Sequence, residues 1–217
     1  MSNSQKLPKS FYTRSDVVLI ARELLGKYLV TDINDKITVG KIVETEAYCG
    51  ATDRACHAHL NKKTERTKIM FEEGGVAYVY LVYGMYKLFN IVTNEHGKAD
   101  AVLIRAVEPV EGIETMLERR KMEKIKDKNG NFKLKRNLTA GPGIMSLAMG
   151  IDLSDYGQDL TENRIWIEDR QEKNKQEIIQ ENQIIASSRI NIDYAEEDKH
   201  LPWRFRIKDN KWTSPAK

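Results

Sequence analysis

Two cysteines in 217 residues, Cys49 and Cys56, are too few for a disulfide scaffold, so a reducing, cytoplasmic compartment is expected. No apolar run approaches the ~20 residues that a membrane-spanning helix requires. The opening MSNSQKLPKSFYTRSD has no apolar stretch of the kind that forms a secretory signal. Neither GxGxxG nor GxxxxGK[ST] occurs, which removes the usual phosphate-cradling loops. No nucleophile elbow and no Ser-His-Asp order is present. A strong charge of one sign is missing too: 35 Lys+Arg against 32 Asp+Glu leave +3. That sum alone excludes little.

What is there is more informative. Hydrophobic residues make up 41% and charged residues 31%, the balance of a globular chain with a real core. Charge is polarised along the length. Residues 116–136 hold nine Lys/Arg and three Asp/Glu, whereas 151–200 hold six and thirteen. The first excess reads as a basic surface or as a solvated lysine-rich loop.

Residues 1–14 are polar and expected to be loosely held, leaving 15–217 as one domain. Val17, Ile20, Ala21, Leu24 and Leu25 recur at helical spacing, with Ser15 as cap and Gly26 as stop. From Tyr28 the period changes to that of strands, LVTD then KITVGKIVETEAY, with Asn34-Asp35 turning between them. Residues 49–76 read as an irregular polar segment, long enough to be functional or disordered. AYVYLVYGMYKLFNIVT (77–93) reads as two strands joined tightly at Gly84. AVLIRAVEP reads as a strand ended by Pro109, 110–122 as a helix and 123–137 as a basic loop. LTAGPG introduces another helix, and RIWIED, SRINIDY and WRFRIK read as strands. The acidic stretch 168–183 reads as an insertion. The class is α+β in a single domain.

Glu44 and Glu46 in VETEAY lie two apart on a strand and so share a face. Such a pair is either a solvent-facing stripe or a site for acid/base work. The apolar flanks Ile42, Val43 and Ala47 favour a buried Glu46, which must then be paired or functional. CHAH (56–59) offers metal-ligand types, but nothing completes four zinc ligands; no metal and no cofactor is expected. Nine tyrosines are present, four of them at 78, 80, 83 and 86. Tyr78 and Tyr86 read equally well as core. Tyr83, at the hairpin tip, is exposed or inserted into something, and aromatic side chains that stack on bases contribute ~1–3 kcal/mol each.

The ordered motifs KIVETEAYCG, DRACH (53–57), TERTKIMF, YVYLVYGMYKLFNI, AVLIRAVEP and LTAGPG resemble the 3-methyladenine DNA glycosylases of the alkyladenine type, over about residues 12–213. The resemblance implies a mostly antiparallel, curved β-sheet with flanking helices and a protruding hairpin. It implies a monofunctional enzyme, without lyase activity, that flips alkylated or deaminated purines from double-stranded DNA and hydrolyses the N-glycosidic bond. Glu46 would be the general base. Arg105 and the main-chain carbonyl of Ile190 would hold the water. Tyr48, His57 and Tyr80 would surround the base, with Asn90 at the pocket edge where a guanine amino group would clash. Tyr83, beside Gly84, would enter the minor groove, and Met70 would lie near the DNA backbone. Ala101, Val92 and Leu103 would tune the pocket. A monomer, free of membrane and associated with nucleoid or nucleus, is expected. The rival readings are a damaged-DNA binder that does not cut, which would need neither Glu46 nor Arg105, and a small-molecule hydrolase or transferase, which would need no exposed Tyr83.

Overall fold

Nearly continuous burial along β2 (Tyr28–Asp32) and β3 (Ile37–Tyr48), and the tight turn between them, start the sheet. Asn34 and Asp35 both take left-handed backbone angles (φ 57° and 55°), as a two-residue hairpin turn requires. The computed structural model describes residues 4–126, 128–129, 132–172, 175–176 and 179–213. Around the first hairpin are added β1 (Ser4–Lys6), β4 (Ala77–Val82), β5 (Tyr86–Thr93), β6 (Asp100–Glu111) and β9 (Ile165–Glu172). The order is β1-β9-β2-β3-β6-β5-β4, with antiparallel pairing throughout.

Strand β3 is the axis. Its first half pairs with β2, and its second half pairs with β12 (Arg204–Ile207), which carries β11 (Ile184–Ser187) on its far side. Its other edge pairs with β6 along nearly its whole length. Three irregularities break that register, one at Val39/Gly40 and two further along. β3 has an extra residue between Ile42 and Glu44, and β6 has one, Arg105, between Ile104 and Ala106. Bulges of this kind re-aim side chains, and these two lie where charged residues meet.

Helices α1 (Lys9–Tyr12), α2 (Val17–Glu23), α3 (Ile113–Arg119) and α4 (Pro142–Met149) flank the sheet. Ile20, Leu24, Met116 and Met145 join Ile42, Phe89, Val102 and Ile104 in one apolar core. A smaller cluster of Cys56, Ala58, Met70, Phe71, Tyr78, Val92, Ala99 and Ala101 lies apart from it. Among the described residues no helix is long and apolar enough to cross a membrane. The α+β class and the curled antiparallel sheet are as expected.

Several local expectations are corrected. Residues 4–14 are not loose: β1 pairs with β9, and Leu7 and Tyr12 are buried. Asp16, not Ser15, caps α2, its carboxylate accepting from Leu19 N–H at 2.9 Å. Pro109 does not end β6, which runs on to Glu111; the bulge at Val39/Gly40 accommodates it. The helix expected over 110–122 spans only 113–119, after Gly112 in the left-handed region. SRINIDY forms no strand: Asn191 is left-handed (φ 59°) and 3-10 turns begin at Asp193. The basic loop holds a small hairpin, β7 (Ile125–Lys126) with β8 (Phe132–Lys133). Within the acidic stretch, 168–172 belong to β9 and 175–176 form β10 (Lys175–Gln176); positions 127, 130–131, 173–174 and 177–178 lie outside the described residues.

Candidate active site

A cavity of about 630 Å³ opens between the β4–β5 hairpin, the end of β3 and the segment 190–194. Its charged centre follows from the two bulges. Arg105 turns to face both glutamates of VETEAY. Its Nε donates to Glu44 Oε1 at 2.8 Å, and its Nη1 lies 3.2 Å from Glu46 Oε1. Arg204, opposite on β12, also donates from Nε to Glu44 Oε1 at 2.8 Å. All four side chains are buried. Burial pulls the Arg105 guanidinium down, but the carboxylates of Glu46 and Glu44 outweigh it and push it well above its ordinary range. The two glutamates therefore share a face, and that face is not a solvent stripe.

Glu46 lines the cavity, and three donors converge on its carboxylate. Besides Arg105, Ile190 N–H donates to Oε1 at 3.0 Å and Tyr48 O–H donates to Oε2 at 2.7 Å. Burial, and then the neighbouring Glu46, hold the Tyr48 phenol far above its usual range, so it keeps the proton it donates. Ile190 thus reaches the site through its N–H, whereas the carbonyl was the expected contact. Arg105, expected to hold water, is engaged by carboxylates.

Aromatic rings form the walls. Tyr78 and Tyr80 lie 5.2 Å apart at a tilt of 32°, and His57 meets Tyr80 edge-on at 4.7 Å. Arg66, a donor only, approaches His57 Nε2 at 3.3 Å, so Nδ1 carries the hydrogen and donates to Tyr78 Oη at 2.9 Å. The Arg66 guanidinium also lies 4.8 Å from the Tyr80 ring centre. Burial, with the Arg66 charge beside it, lowers His57 to about 4. The unfolded chain, with an ordinary imidazole near 6.5, then binds more protons between about pH 4 and 6.5. Stability from this group is complete above 6.5 and is lost as pH falls through that window. Unfolding midpoints in urea should therefore drop from pH 6.5 to 4 more steeply than in His57→Gln. NMR titration of the ring near 6.5 would contradict the half-buried, neutral imidazole.

Asn90 Nδ2 donates to the carbonyl of Tyr78 at 3.1 Å, which fixes its side chain across the hairpin at the cavity wall. Leu103 and Ala101 also line the cavity, whereas Val92 lies in the small cluster and does not. Met70, expected near the DNA backbone, is 1% exposed, belongs to the small apolar cluster and also lines the cavity.

The hairpin tip stands free. Tyr83 is 77% exposed and left-handed (φ 52°), and Gly84 beside it (φ 68°) has open space around it. Met85 N–H donates to Val82 C=O to close the turn. Behind the tip, Gly143 lets Tyr86 pack closely; a Cβ there would lie 2.6 Å from Tyr86 Cδ1. Among the described residues, no cluster of three His, Cys, Asp or Glu could hold a metal ion.

The sequence did not single out Arg66 or Arg204 as site residues. Arg66 lies in an irregular segment with no periodicity to mark it. Arg204 did leave a signal: in RFRI, arginines alternate with apolar residues on a buried strand, so a buried anion must face them.

A family model described as "Methylpurine-DNA glycosylase (MPG)" matches residues 10–211. A curated protein from Clostridium novyi (strain NT) is 47% identical over 211 residues, covering 97% of this chain and 98% of its own length. One from Alkaliphilus oremlandii (strain OhILAs) is 49% identical over 209 residues, covering 96% and 98%. Both bear the name "Putative 3-methyladenine DNA glycosylase".

Proposed function

The chain belongs to the methylpurine-DNA glycosylase family, and from that premise we propose that it hydrolyses the N-glycosidic bond of alkylated purines, 3-methyladenine among them, in duplex DNA. The observation that carries this reading is a buried carboxylate, Glu46, at an aromatic cavity whose mouth adjoins an exposed tyrosine tip.

An enzyme acting on a base must first take it out of the stack, at a few kcal/mol. Tyr83 fills the gap in the duplex, reaching it from the free hairpin. The base enters among Tyr48, Tyr80 and His57, where an electron-poor alkylated ring stacks best. Asn90 stands at the edge and disfavours an exocyclic guanine amino group. Glu46 then takes a proton from water as the water oxygen bonds to C1′. The C1′–N bond breaks, and its electron pair leaves with the base. The carboxylate also faces the positive charge that develops at C1′. The products are a free base and an abasic site. No lysine lines the cavity among the described residues, so no Schiff base with C1′ and no strand cleavage is part of the reaction.

The test is direct. Incubation with methylated duplex DNA should release free methylpurine, seen by chromatography, and leave sites that break only on alkali treatment. Breakage without alkali would refute the hydrolytic, lyase-free reaction; binding with no base released would favour the non-catalytic reading. Tyr83→Ser should lower affinity for a duplex with an abasic-site analogue by about 5-fold or more, given the ~1–3 kcal/mol of a stacking aromatic. Unchanged affinity would remove Tyr83 from the interface.

A further inference from the structure

Arg189 directly precedes Ile190, whose N–H reaches Glu46, and its side chain is wholly buried. It forms a two-point pair with Asp53, itself wholly buried. Nη2 donates to Asp53 Oδ1 at 2.8 Å, and Nη1 pairs with Oδ2. Nη1 also donates to the carbonyl of Ala47 at 2.9 Å, the residue between Glu46 and Tyr48 on β3. Nη2 reaches the carbonyl of Asp198 at 3.2 Å. The guanidinium carbon lies 4.8 Å from the Tyr48 ring centre and 5.3 Å from that of Trp203. Asp53 is fixed in turn, its Oδ1 accepting from Ala55 N–H at 2.9 Å. One side chain therefore ties together the segment before His57, the end of β3 and the 3-10 turns after Asn191.

We propose that the Asp53–Arg189 pair is the positioning element of the reaction: it holds Ile190 N–H on the Glu46 carboxylate and Tyr48 against the cavity, without touching the substrate. The segment 188–192 has no strand partner to hold it. Its backbone turns left-handed at Asn191, one residue beyond the contact. Apart from the Ile190 N–H bond to Glu46 itself, the segment's own backbone bonding is the single acceptance by Ile192 C=O from Ala195 N–H, so the Asp53–Arg189 tie is its main side-chain anchor at this point. A buried ion pair is costly to desolvate, and well-packed apolar residues often replace one with no loss of stability. What they do not reproduce is a fork that binds a carboxylate at two points and a strand carbonyl as well.

The proposal rests on Glu46 acting as base, so its test separates the two. In single-turnover release of methylpurine from methylated duplex DNA, Asp53→Asn should lower the maximal rate by about 10- to 100-fold. The enzyme concentration giving half-maximal rate, and affinity for the abasic-analogue duplex, should stay within about 3-fold. Arg189→Lys keeps the charge but not the fork and should fall the same way. Both variants should melt cooperatively. A folded variant with the maximal rate unchanged would overturn the proposal. Amide hydrogen exchange in the unaltered protein needs no variant: Ile190 N–H should exchange slowly, and exchange as fast as in exposed loops would also overturn it. If the unaltered protein releases no base, the glycosylase reading falls instead, and the exchange rate still decides whether the pair holds this amide.

Discussion

Glu46→Gln is expected to lower the single-turnover rate of base release by at least about 10³-fold while leaving affinity for damaged duplex within a few-fold. The substitution is close to isosteric. A glutamine oxygen at the Oε1 position can still accept from Ile190 N–H and Arg105, which stand 3.0 and 3.2 Å away. The amide nitrogen then faces Tyr48, whose oxygen accepts instead of donating. The fold keeps its Glu44–Arg105–Arg204 contacts, so unfolding midpoints should move little. Two capacities vanish together. Water loses its proton acceptor, an effect of about 10²–10⁴. The charge growing at C1′ loses its facing anion, and fixed electrostatic groups of this sort contribute ~3–4 kcal/mol. Binding needs neither, because the aromatic walls and Tyr83 are untouched. Release at the unaltered rate would sink Glu46 as the base. Loss of binding in step with release would place Glu46 in recognition rather than chemistry.

How much of this was legible in the sequence depended on how far apart the cooperating residues lie. The β4–β5 hairpin was plain, because its alternation and its Tyr83-Gly84 turn are set within seventeen neighbouring residues. Burial of Glu46 was legible from its apolar flanks alone. The partnership of Glu44 and Glu46 with Arg105 was not, since it depends on two bulges in strands that pair about sixty residues apart. The N-terminal segment misled for a similar reason. Ser4–Lys6 is polar and short, and becomes a strand only because the edge of β9, more than 160 residues later, offers it a partner. SRINIDY alternates like a strand, but Arg189 spends its hydrogen bonds on Asp53 and Ala47, and Asn191 turns the chain away. Periodicity records which residues are apolar. It does not record which buried charge a polar neighbour will meet.

Arg105→Met tests that buried charge network through stability. Methionine roughly fills the space, so the change removes a cation with little loss of packing. Arg105 is 7% exposed and touches both Glu44 and Glu46. Glu44 retains Arg204, and Glu46 retains Tyr48 O–H and Ile190 N–H, yet two carboxylates now share one low-dielectric site with one cation fewer. Breaking a buried pair from one side costs about 3–5 kcal/mol, and urea unfolding near pH 7.5 should show a loss of that size. The pH dependence identifies the cause. Folding the variant relieves the excess negative charge by taking up a proton at the carboxylate pair. The folded state then binds more protons than the unfolded one above the ordinary carboxylate range, and stability falls as pH rises through that interval. The deficit relative to the unaltered protein should therefore shrink between pH 7.5 and 5. A lost packing contact alone would give a deficit independent of pH, and a deficit that grew toward pH 5 would contradict the pairing of Arg105 with two carboxylates. Base release should move the other way, recovering as pH rises and the pair gives up its proton. Opposite trends in stability and rate, from a single substitution, are what a shared catalytic and structural charge network requires.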